Sequence, residues 1–465
     1  MRFRAIEDLR GVLTGDLITP DAPDYARARR VFNRMVDRHP LAIARCRGTA
    51  DVLAVCAAAR ELGLPLAVRG GAHNIAGYGT CDGGLVADLS PMRGVRVDPA
   101  TATARVQGGA RWADLDAESQ VFGLATTGGQ VSTTGVVGLT LGGGWGTLAR
   151  RLGLACDNLV AADVVTVDGR VLTVDREHEP ELLWALRGGG GNFGVVTSVE
   201  LALHPVGPLV TGGLLIHPVE RGAELLAFFR DFMADCSDDV SADVMFMTAP
   251  PLPVLPTELH DRPVVAVFAR HVGAPEVAVK ELEPLRRFGP PVADLVGPLP
   301  YVALQRALEM ATPPEQCHYW TAGYVPDLTP AVVTEVLGWA RRRPDPRSMV
   351  VVIPWSGQIV RADPAATAFG QRLPGWLVHS LGSWEDPEVT ESGVEWATSM
   401  GRAIRAMGSG TSYLNFTPEA GDDRLDMFYD RDRLTRLSQL KAGYDPDNML
   451  RFNQNIAPDQ VAATA

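Results

Sequence analysis

One histidine, His73, lies inside a glycine-rich run at residues 69–84, and further glycine clusters follow at residues 108–109, 123–146 and 188–194. Because glycine has no Cβ, successive backbone amides can turn toward a ligand and donate to phosphate oxygens. One such loop is more typical of a tight turn, but four within about 130 residues favour a nucleotide cofactor. His73 is therefore either a hydrogen-bonded loop residue or a group that acts on the cofactor, since a neutral imidazole is a competent nucleophile near pH 7.

The glycine loops do not match the two common nucleotide-binding signatures. The runs GGGGNFG and GGGWG lack the strand, GxGxxG and helix spacing with a downstream acid, and the chain has no GxxxxGK[ST] segment. A Rossmann or P-loop site is therefore disfavoured. A metal site is not indicated either, because His178 and His204 have no partner histidine at helical spacing.

The composition is that of a globular protein without a nucleic-acid or membrane partner. Of 465 residues, 46% are hydrophobic, and the net charge of -12 leaves no basic stripe for a phosphate backbone. No apolar run is long enough to span a membrane, and charges interrupt the N-terminal residues, so no signal peptide is expected. The six cysteines form no CxxC pair, which favours reduced thiols, and we expect a cytoplasmic location.

Helices and strands must position the glycine loops. The segment that begins at Thr49 has helical spacing up to Gly63, and a short strand at residues 65–68 leads into the histidine loop. The Asp168-Gly169 turn joins two β runs. From about residue 207 the glycine clusters end and proline becomes more frequent, while β runs alternate with helical segments. This shift in composition predicts a second domain.

Four segments stand out as a set: RGGAHNIAGYG, GLTLGGGWGTLARRLGLACDNLVAADVVTVDG, LLWALRGGGGNFGVVTSVE and YDPDNMLRFNQNI. In this order they closely resemble the berberine-bridge-enzyme-like flavoproteins of the vanillyl-alcohol-oxidase superfamily, over residues 36–205 and again over residues 411–457. The resemblance implies an α+β, two-domain PCMH-type FAD-binding fold. Residues 1–205 would form the FAD-binding domain, and residues 206–410 a substrate-binding domain built on an antiparallel sheet covered by helices. Residues 411–465 would return to the FAD-binding domain.

In such proteins the histidine of the R-G-G-x-H motif is bonded to the 8α-methyl carbon of FAD, and that position is His73 here. The resemblance therefore implies FAD as cofactor, attached covalently through His73. Many relatives carry a second link from a cysteine to flavin C6, but Val131 occupies that place. We expect one covalent bond, as in the singly linked histidyl-FAD oxidases of the 6-hydroxynicotine oxidase type. A further departure is Leu139, where many doubly linked relatives have a histidine beside the flavin.

The resemblance also implies which residues surround the FAD. One set would cradle the pyrophosphate: Arg69, Gly70, Gly71, Ala72, His73 and Asn74. A second set would cover the phosphates and the ribityl chain: Gly128, Gly129, Thr133, Thr134, Gly135 and Gly138. Gly194 and Val196 would meet the flavin or adenosine through backbone groups, and Asn453 and Asn455 would close the site. The alternative for the two asparagines is hydrogen bonding within the turn after Pro446.

Substrate oxidation requires a base that accepts a proton as hydride leaves the substrate carbon. By resemblance, Tyr413 of the Y-x-N segment is the predicted base, which requires its pKa of about 10 to be lowered, and the alternative is a buried tyrosine with a satisfied hydroxyl. Asn415, expected on the same strand face, would orient the substrate. Trp355 and Gln358 of another predicted strand and Tyr319 are candidates for the substrate pocket, with core packing as the alternative for the aromatic rings.

The leading hypothesis is an FAD-dependent oxidase. It would move hydride from an alcohol or amine carbon of a small molecule to flavin N5, and then to dioxygen, giving hydrogen peroxide. One alternative is a flavin dehydrogenase that uses another acceptor, and a second is a catalytically silent flavin- or ligand-binding protein. A role in secondary metabolism and a monomeric or homodimeric state would fit the family.

Overall fold

The computed structural model describes residues 3–251, 253–311, 313–314, 316–418 and 422–459. The ends of the predicted FAD-binding segments, residues 1–2 and 460–465, lie outside this part of the chain. Its α-helices are α1 (Tyr25–Ala28), α2 (Thr49–Leu62), α3 (Trp112–Gln120), α4 (Val136–Leu141), α5 (Ala149–Leu152), α6 (Pro180–Leu186), α7 (Gly222–Asp235), α8 (Pro275–Glu281), α9 (Glu283–Arg287), α10 (Tyr301–Gln305), α11 (Pro330–Arg341), α12 (Gln358–Arg361), α13 (Thr390–Ala406) and α14 (Arg431–Tyr444).

The chain up to residue 205 forms three sheets. The first has the order β1 (Leu17–Ile18), β2 (Ala42–Arg45), β4 (Leu85–Asp88) and β3 (Leu66–Arg69). The second is antiparallel, in the order β5 (Val95–Asp98), β6 (Thr103–Gln107), β10 (Val195–Ala202), β8 (Leu159–Val165) and β9 (Val171–Val174). The third pairs β7 (Leu124–Ala125) with β11 (His204–Pro205). These sheets carry the glycine loops at their connections.

Helix α2 shows how the sequence positions the histidine loop. Its buried face includes Val52, Val55 and Ala59, and Gly63 ends it in a left-handed conformation with φ of 64°. Glycine adopts that conformation without strain, so the chain reverses there and enters β3, which pairs in parallel with β4. The predicted helix and strand are confirmed. The predicted β pair around Asp168-Gly169 is confirmed as β8 and β9.

The region after residue 205 builds one eight-stranded antiparallel sheet. Its strands are β12 (Leu209–Pro218), β13 (Val240–Thr248), β14 (Pro263–His271), β15 (Ala293–Asp294), β16 (Gly297–Pro300), β17 (Cys317–Val325), β18 (Met349–Trp355) and β19 (Gly375–Trp384). Side chains alternate between the two faces, so Val350 and Val352 pack with helices α7, α11 and α13. The other face looks toward the glycine loops. The predicted antiparallel sheet covered by helices is confirmed, whereas the domain boundaries stay predictions.

Two local predictions about strands are wrong. Strand β18 ends at Trp355, and Gln358 begins the short helix α12 after Gly357, which has φ of 69°. Tyr413 and Asn415 do not share a strand either, because residues Leu414–Phe416 form a 3-10 turn. Gly357 ends the extended backbone after β18, and the segment that contains Tyr413 belongs to no strand, which period-two reasoning does not anticipate.

The C-terminal segment is held against the first half of the chain by a buried lysine. The Lys441 Nζ of α14 donates to Asp445 Oδ2 at 2.6 Å, to the Asn192 carbonyl at 2.9 Å and to the Leu450 carbonyl at 3.0 Å. Both members of the ion pair are fully buried. Burial lowers the pKa of Lys441, and the Asp445 carboxylate opposes that shift. The ammonium group thus ties the glycine cluster before Gly194 to the segment that contains the two predicted asparagine ligands.

Replacing Lys441 with methionine is expected to reduce the free energy of unfolding by about 3–5 kcal/mol, because it leaves the Asp445 carboxylate buried without a partner. Urea titration of the holoprotein measures this loss. The matched control is Arg436→Met on the same helix, whose partner Glu181 is exposed, and it should cost less than about 1 kcal/mol. Equal losses for the two variants would contradict this role of Lys441.

Three general properties complete the description. Within the described residues, no helix has both the length and the apolar character needed to span a bilayer. The same residues contain no cluster of three or more His, Cys, Asp or Glu side chains that could hold a metal ion. All six cysteines are free thiols, and five of them are buried.

Candidate active site

A cavity opens between the glycine loops and the free face of the eight-stranded sheet. Its lining contains many residues that the resemblance implies for FAD: Gly70, Gly71, Ala72, His73, Asn74, Gly129, Thr134, Gly135, Gly138, Gly194, Val196 and Asn453. Four others lie outside the lining: Arg69, Gly128, Thr133 and Asn455. Val131 and Leu139, the two departures from the doubly linked pattern, both line the cavity. The sheet contributes an opposite wall that is mostly apolar.

The residues present fit FAD. The loops at Gly71 and Gly135 touch through their backbones, since a Cβ at Gly71 would lie 2.3 Å from the Gly135 nitrogen. This contact brings polar backbone groups from two loops to one wall, as phosphate oxygens require. Four lining residues also have a buried polar atom without a partner in the described part of the chain, namely Tyr78 Oη, Asp243 Oδ1, Trp320 Nε1 and Asn453 Oδ1. Such orphaned atoms are expected where a ligand completes the hydrogen bonding.

His73 lies at the cavity wall with a defined ring orientation. Its Nε2 is 2.9 Å from Thr133 Oγ1, and its ring stacks on Phe32 with centroids 3.9 Å apart. In the tautomer that carries the proton on Nε2, this nitrogen donates to Thr133 and the Nδ1 lone pair remains for the cavity. Burial lowers the pKa of His73 to about 3, so the ring is neutral near pH 7. This geometry presents a neutral nitrogen nucleophile to a ligand in the cavity.

Arg69 and Gly128 lie outside the cavity lining and fix the two loops that form it. The buried Arg69 guanidinium donates to the carbonyls of Gly79 and Ala28 and lies 3.9 Å from Asp88. Arg69 therefore fixes the loop that carries His73, and the structure does not bring it to the cavity. A Cβ at Gly128 would lie 2.5 Å from the indole of Trp112, so the second loop can only follow this path with glycine there.

Tyr413 and Asn415 are hydrogen-bonded to each other, but Tyr413 does not face the cavity as expected for a base. The Tyr413 hydroxyl accepts hydrogen bonds from the Gly144 and Trp145 amides, each at 2.9 Å, and from Asn415 Nδ2 at 3.1 Å. Tyr413 is only 1% exposed and does not line the cavity, whereas Asn415 does. Burial raises the pKa of Tyr413 to about 12, which opposes a role as base. The catalytic assignment of Tyr413 stays a prediction, and the geometry favours support of the loop at residues 142–145.

Replacing Tyr413 with phenylalanine is expected to lower the free energy of unfolding by about 1–3 kcal/mol, because two buried amides lose their acceptor. We expect kcat to change by less than about tenfold, since a lost general base typically costs about 100-fold or more. Urea unfolding and steady-state rates measure the two effects. Tyr429→Phe, which removes one buried hydrogen bond to the Gly188 carbonyl, is the matched control. A loss of kcat without a loss of stability would contradict this interpretation.

The structure does not bring the three predicted substrate residues into the cavity. Tyr319 lies on β17 between His318 and Trp320, so its side chain faces the helices while Trp320 lines the cavity. Trp355 is fully buried and its indole donates to the Gln371 carbonyl at 3.1 Å. Gln358 on α12 is also outside the lining. Strand alternation turns Tyr319 away from the cavity, and Gln358 lies beyond the end of β18. Trp355 shares the face of β18 that carries Ile353, but it packs against Tyr324 and Tyr413.

Sequence reasoning missed His379, which lines the cavity on β19. Its Nδ1 lies 3.0 Å from the Thr321 carbonyl, which can only accept, so Nδ1 carries the proton and the Nε2 lone pair is left for the cavity. The ring stacks on Phe416 with centroids 4.2 Å apart and meets Trp320 edge to face. Burial lowers the pKa of His379 to about 4. The available signal was a lone ionisable residue at a core-facing position of an apolar strand.

Asp243 is the second missed residue. It lies on β13, is 2% exposed and lines the same cavity. Its Oδ2 accepts from Arg270 Nη2 at 2.7 Å and from Gln130 Nε2 at 2.9 Å. Gln130 belongs to the loop that contains Val131, so this contact joins the glycine loops to the sheet. The same alternation signal applies, because Asp243 interrupts the apolar strand VSADVMFMT.

Comparison with known proteins agrees with this architecture. Residues 40–175 match the model of an FAD binding domain, and residues 412–457 match the model described as berberine and berberine like. The chain is 30% identical to (R)-6-hydroxynicotine oxidase of Paenarthrobacter nicotinovorans over 96% of this chain and 97% of that protein. It is also 30% identical to an FAD-linked oxidoreductase of Dictyostelium discoideum over 92% of this chain and 91% of that protein.

Solved structures show the same fold. The crystal structure of 6-hydroxy-D-nicotine oxidase from Arthrobacter nicotinovorans has a TM-score of 0.86 at 29% identity, covering 96% of this chain and 98% of that one. The BBE-like 1 protein of Physcomitrella patens has a TM-score of 0.87 at 20% identity, covering 98% and 99%. Together with the cavity, these matches identify the chain as an enzyme of the berberine-bridge-enzyme-like family of FAD-linked oxidoreductases with a PCMH-type fold.

Proposed function

We propose that this protein is an oxidase with one covalently bound FAD, attached through His73, that oxidises an alcohol or amine carbon of a small molecule. The observation that carries the proposal is the position of His73, which lines the cavity and whose ring is oriented by the 2.9 Å contact between Nε2 and Thr133 Oγ1. The (R)-6-hydroxynicotine oxidase among its relatives supports the oxidase class. Val131 supports a single link, because a valine side chain cannot bond to the flavin.

The residues that would hold FAD follow from the cavity lining. The loop from Gly70 to Asn74 and the loop from Gly129 to Gly138 would surround the phosphates and ribityl chain, and Asn453 would accept a hydrogen bond through Oδ1 at the closing edge. Arg69 would act indirectly by fixing the first loop. Bound FAD would supply a hydride acceptor and a route for two electrons to dioxygen, giving hydrogen peroxide.

His379 is the proposed proton acceptor. A substrate hydroxyl or amine N–H donates to its Nε2, and the proton moves to this nitrogen as hydride leaves the adjacent carbon, so that a carbonyl or imine forms. The Nδ1–H remains bonded to the Thr321 carbonyl, which keeps the ring oriented and favours the imidazolium that forms. Phe416 and Trp320 exclude water from the ring. Asn415 could add a hydrogen bond to the substrate from the cavity wall.

The covalent link is tested on the purified protein without knowledge of its substrate. Absorbance spectra are recorded before and after acid precipitation, and peptide mass spectrometry locates attached flavin. Yellow colour in the pellet, with the FAD mass on the peptide that contains His73 alone, is the expected result. Colour released wholly to the supernatant would mean that His73 is a loop residue beside a dissociable flavin.

The oxidase class is tested by chemically reducing the bound flavin under nitrogen and then mixing the protein with air-saturated buffer. Immediate reoxidation with formation of hydrogen peroxide is expected. Reoxidation no faster than that of free reduced flavin handled in the same way would favour the dehydrogenase alternative. Absence of reduction by any alcohol or amine in a screen would favour the silent binding protein. Location in the cytoplasm, a role in secondary metabolism and a monomeric or homodimeric state stay predictions.

A further inference from the structure

Helices α3 and α10 meet through buried polar side chains that lie outside the cavity lining. Trp112 and Asp116 are one turn apart on α3, so they share one face of that helix. Tyr301 and Gln305 have the same spacing on α10. All four residues are at most 2% exposed. Because α10 also packs on β12 and β16, these residues connect the glycine-loop half of the chain to the eight-stranded sheet.

Each of these residues has one buried polar atom without a partner in the described part of the chain: Trp112 Nε1, Asp116 Oδ2, Tyr301 Oη and Gln305 Oε1. The indole and the phenol carry hydrogens, whereas Gln305 Oε1 only accepts. An ionised Asp116 would be a second group that only accepts, buried beside the first. A neutral carboxyl group instead supplies the donor that Gln305 Oε1 lacks. The cluster is therefore better satisfied when Asp116 keeps its proton.

Asp116 is buried without a compensating charge, since no arginine, lysine or histidine pairs with it in the part of the chain that the structure describes. From α10, Tyr301 is the titratable group that faces Asp116, and burial raises the pKa of this phenol well above its usual range. The other charged groups on α3 and on the strands packed against it are exposed or interact with other residues: Arg96, Asp98, Arg105, Arg111, Asp114 and Glu118. Burial raises the pKa of Asp116 to about 7, and the Gln305 side chain opposes this shift only in part.

Gln305 connects the cluster to the cavity. Its Nε2 donates to the Gly129 carbonyl at 3.3 Å, and Gly129 lines the cavity. The indole of Trp112 lies against the same loop, because a Cβ at Gly129 would be 3.7 Å from the indole Cδ1. Since Nε2 is used by Gly129, Oε1 is the atom of Gln305 that remains for Asp116. An ionised Asp116 would compete with the Gly129 carbonyl for the Nε2 donor.

We propose that Asp116 is a positioning residue that, as a neutral carboxylic acid, donates to Gln305 Oε1 and so keeps Gln305 Nε2 on the Gly129 carbonyl. Loss of the proton at alkaline pH turns Gln305 toward the carboxylate and weakens its hold on the loop at residues 128–135. This loop is one of the two that would surround the phosphates and ribityl chain of FAD. The inference depends neither on the covalent link nor on the oxidase class.

The protonation state of Asp116 is measured by infrared spectroscopy of the holoprotein over a series of pH values. The C=O band of a neutral carboxylic acid is expected at pH 5.5 and should disappear as the pH rises through about 7. Asp116→Asn should lack this band, and Glu118→Gln, at an exposed position of the same helix, should retain it. If Asp116→Asn does not fold, Asp116→Ser replaces it, because a hydroxyl also donates but does not titrate here. A wild-type spectrum without such a band, or a band that the Asp116 variant retains, would overturn the proposal.

Urea unfolding measures the same proton quantitatively. Asp116 would ionise near about pH 3.9 in the unfolded chain, so its contribution to stability is lost as the pH rises from there through about 7. The unfolding equilibrium constant of the wild type, divided by that of Asp116→Asn, should increase about 10- to 100-fold between pH 5 and pH 9. Division by the variant removes the effect of the buried histidines, which both proteins share. A ratio that does not change with pH would contradict a neutral Asp116.

Coupling to the cavity is measured by hydrogen–deuterium exchange of peptides that cover residues 128–135, corrected for the intrinsic effect of pH on exchange. In the wild type the corrected exchange should be about tenfold faster at pH 8.5 than at pH 6, because the loop opens more often. Asp116→Asn, whose NH2 group still donates to Gln305, should exchange slowly at both pH values. Gln305→Leu should exchange rapidly at both. Equal wild-type exchange at the two pH values would overturn the positioning role.

A bound monovalent cation is the competing explanation for a buried carboxylate without a partner. Unfolding at pH 8.5 is therefore compared in sodium, potassium and choline chloride at equal ionic strength. We expect the three salts to act alike on the wild type and on Asp116→Asn. Stabilisation by Na⁺ or K⁺ that the variant lacks would assign the cluster to a cation and overturn the proton. These measurements require no substrate and no turnover, so a failure of the proposed oxidase function would leave their result unchanged.

Discussion

Replacing His73 with alanine is expected to release all of the flavin into the supernatant when the holoprotein is precipitated with acid, whereas the wild-type pellet stays yellow. The proposed bond is formed by a ring nitrogen of His73, which lines the cavity, and alanine has no nucleophile to replace it. The glycine loops and Asn453 remain, so the variant should still bind FAD reversibly. Absorbance of pellet and supernatant measures the change, and mass spectrometry of the peptide confirms it.

The matched control is His318→Ala. His318 stacks on Phe32 at 4.6 Å, on the same ring that His73 stacks against at 3.9 Å, and burial lowers the pKa of His318 to about 4. It is outside the cavity lining. The control variant should keep the flavin in the pellet, although it loses a comparable aromatic contact. Flavin retained in the pellet of His73→Ala would disprove attachment through this residue.

Replacing His379 with glutamine is expected to lower kcat/KM by about 100- to 10,000-fold, the usual effect of losing a general base. Glutamine can still donate or accept a hydrogen bond but does not take up a proton, so substrate binding should change much less than the rate. Anaerobic reduction of the flavin by a substrate, followed in a stopped-flow instrument, separates the two effects. His217→Gln is the control, because His217 is buried on the helix-covered side of the same sheet and is outside the cavity lining.

The pH dependence of kcat/KM distinguishes the two candidate bases. Only neutral His379 accepts a proton, so activity should be full above its pKa of about 4 and should fall as the pH drops through that value. If Tyr413 were the base, activity would rise only as the pH approaches its pKa of about 12. An acid limb near 4 that disappears in His379→Gln is the expected result. A limb near 12 that disappears in Tyr413→Phe would contradict the assignment.

The same lowered pKa values of the histidines affect stability. His73, His318 and His379 are held neutral by burial, whereas in the unfolded chain each would take up a proton near pH 6.5. Protonation therefore favours the unfolded chain as the pH falls from about 6.5 through the folded values. The acid limb of kcat/KM must be measured with brief exposure to low pH, so that loss of activity is not confused with unfolding.

The FAD-binding half was largely predictable because its signals are local. Helix α2 (Thr49–Leu62) is followed closely in sequence by the histidine loop and the glycine clusters. Their conformations depend on backbone freedom and hydrophobic spacing, which a short segment carries by itself. The antiparallel sheet covered by helices, which the family resemblance implied, was also confirmed. The sheet residues that line the cavity were not predicted, because a strand pattern does not reveal which of its two faces will meet the cofactor loops.

The difference between local signals and contacts of the folded chain is clear at Asp243, His379 and Tyr413. They are far apart in sequence, and their roles depend on strand register, on Arg270 and Gln130 beside Asp243, and on the Thr321 carbonyl beside His379. The motif around Tyr413 indicated a base, yet the Tyr413 hydroxyl accepts hydrogen bonds from the amides of Gly144 and Trp145. Such contacts arise only when distant segments pack.

The sequence by itself determined the family, the α+β fold, the glycine loops and the histidine that faces the cavity, because these follow from residue types at short separations. Only the tertiary structure decided which ionisable groups reach the cavity and in what state, since burial and the hydrogen bonds of a side chain depend on neighbours brought from elsewhere in the chain. For this protein, His379 and Asp243 line the cavity, whereas the predicted residues Tyr319, Trp355 and Gln358 do not.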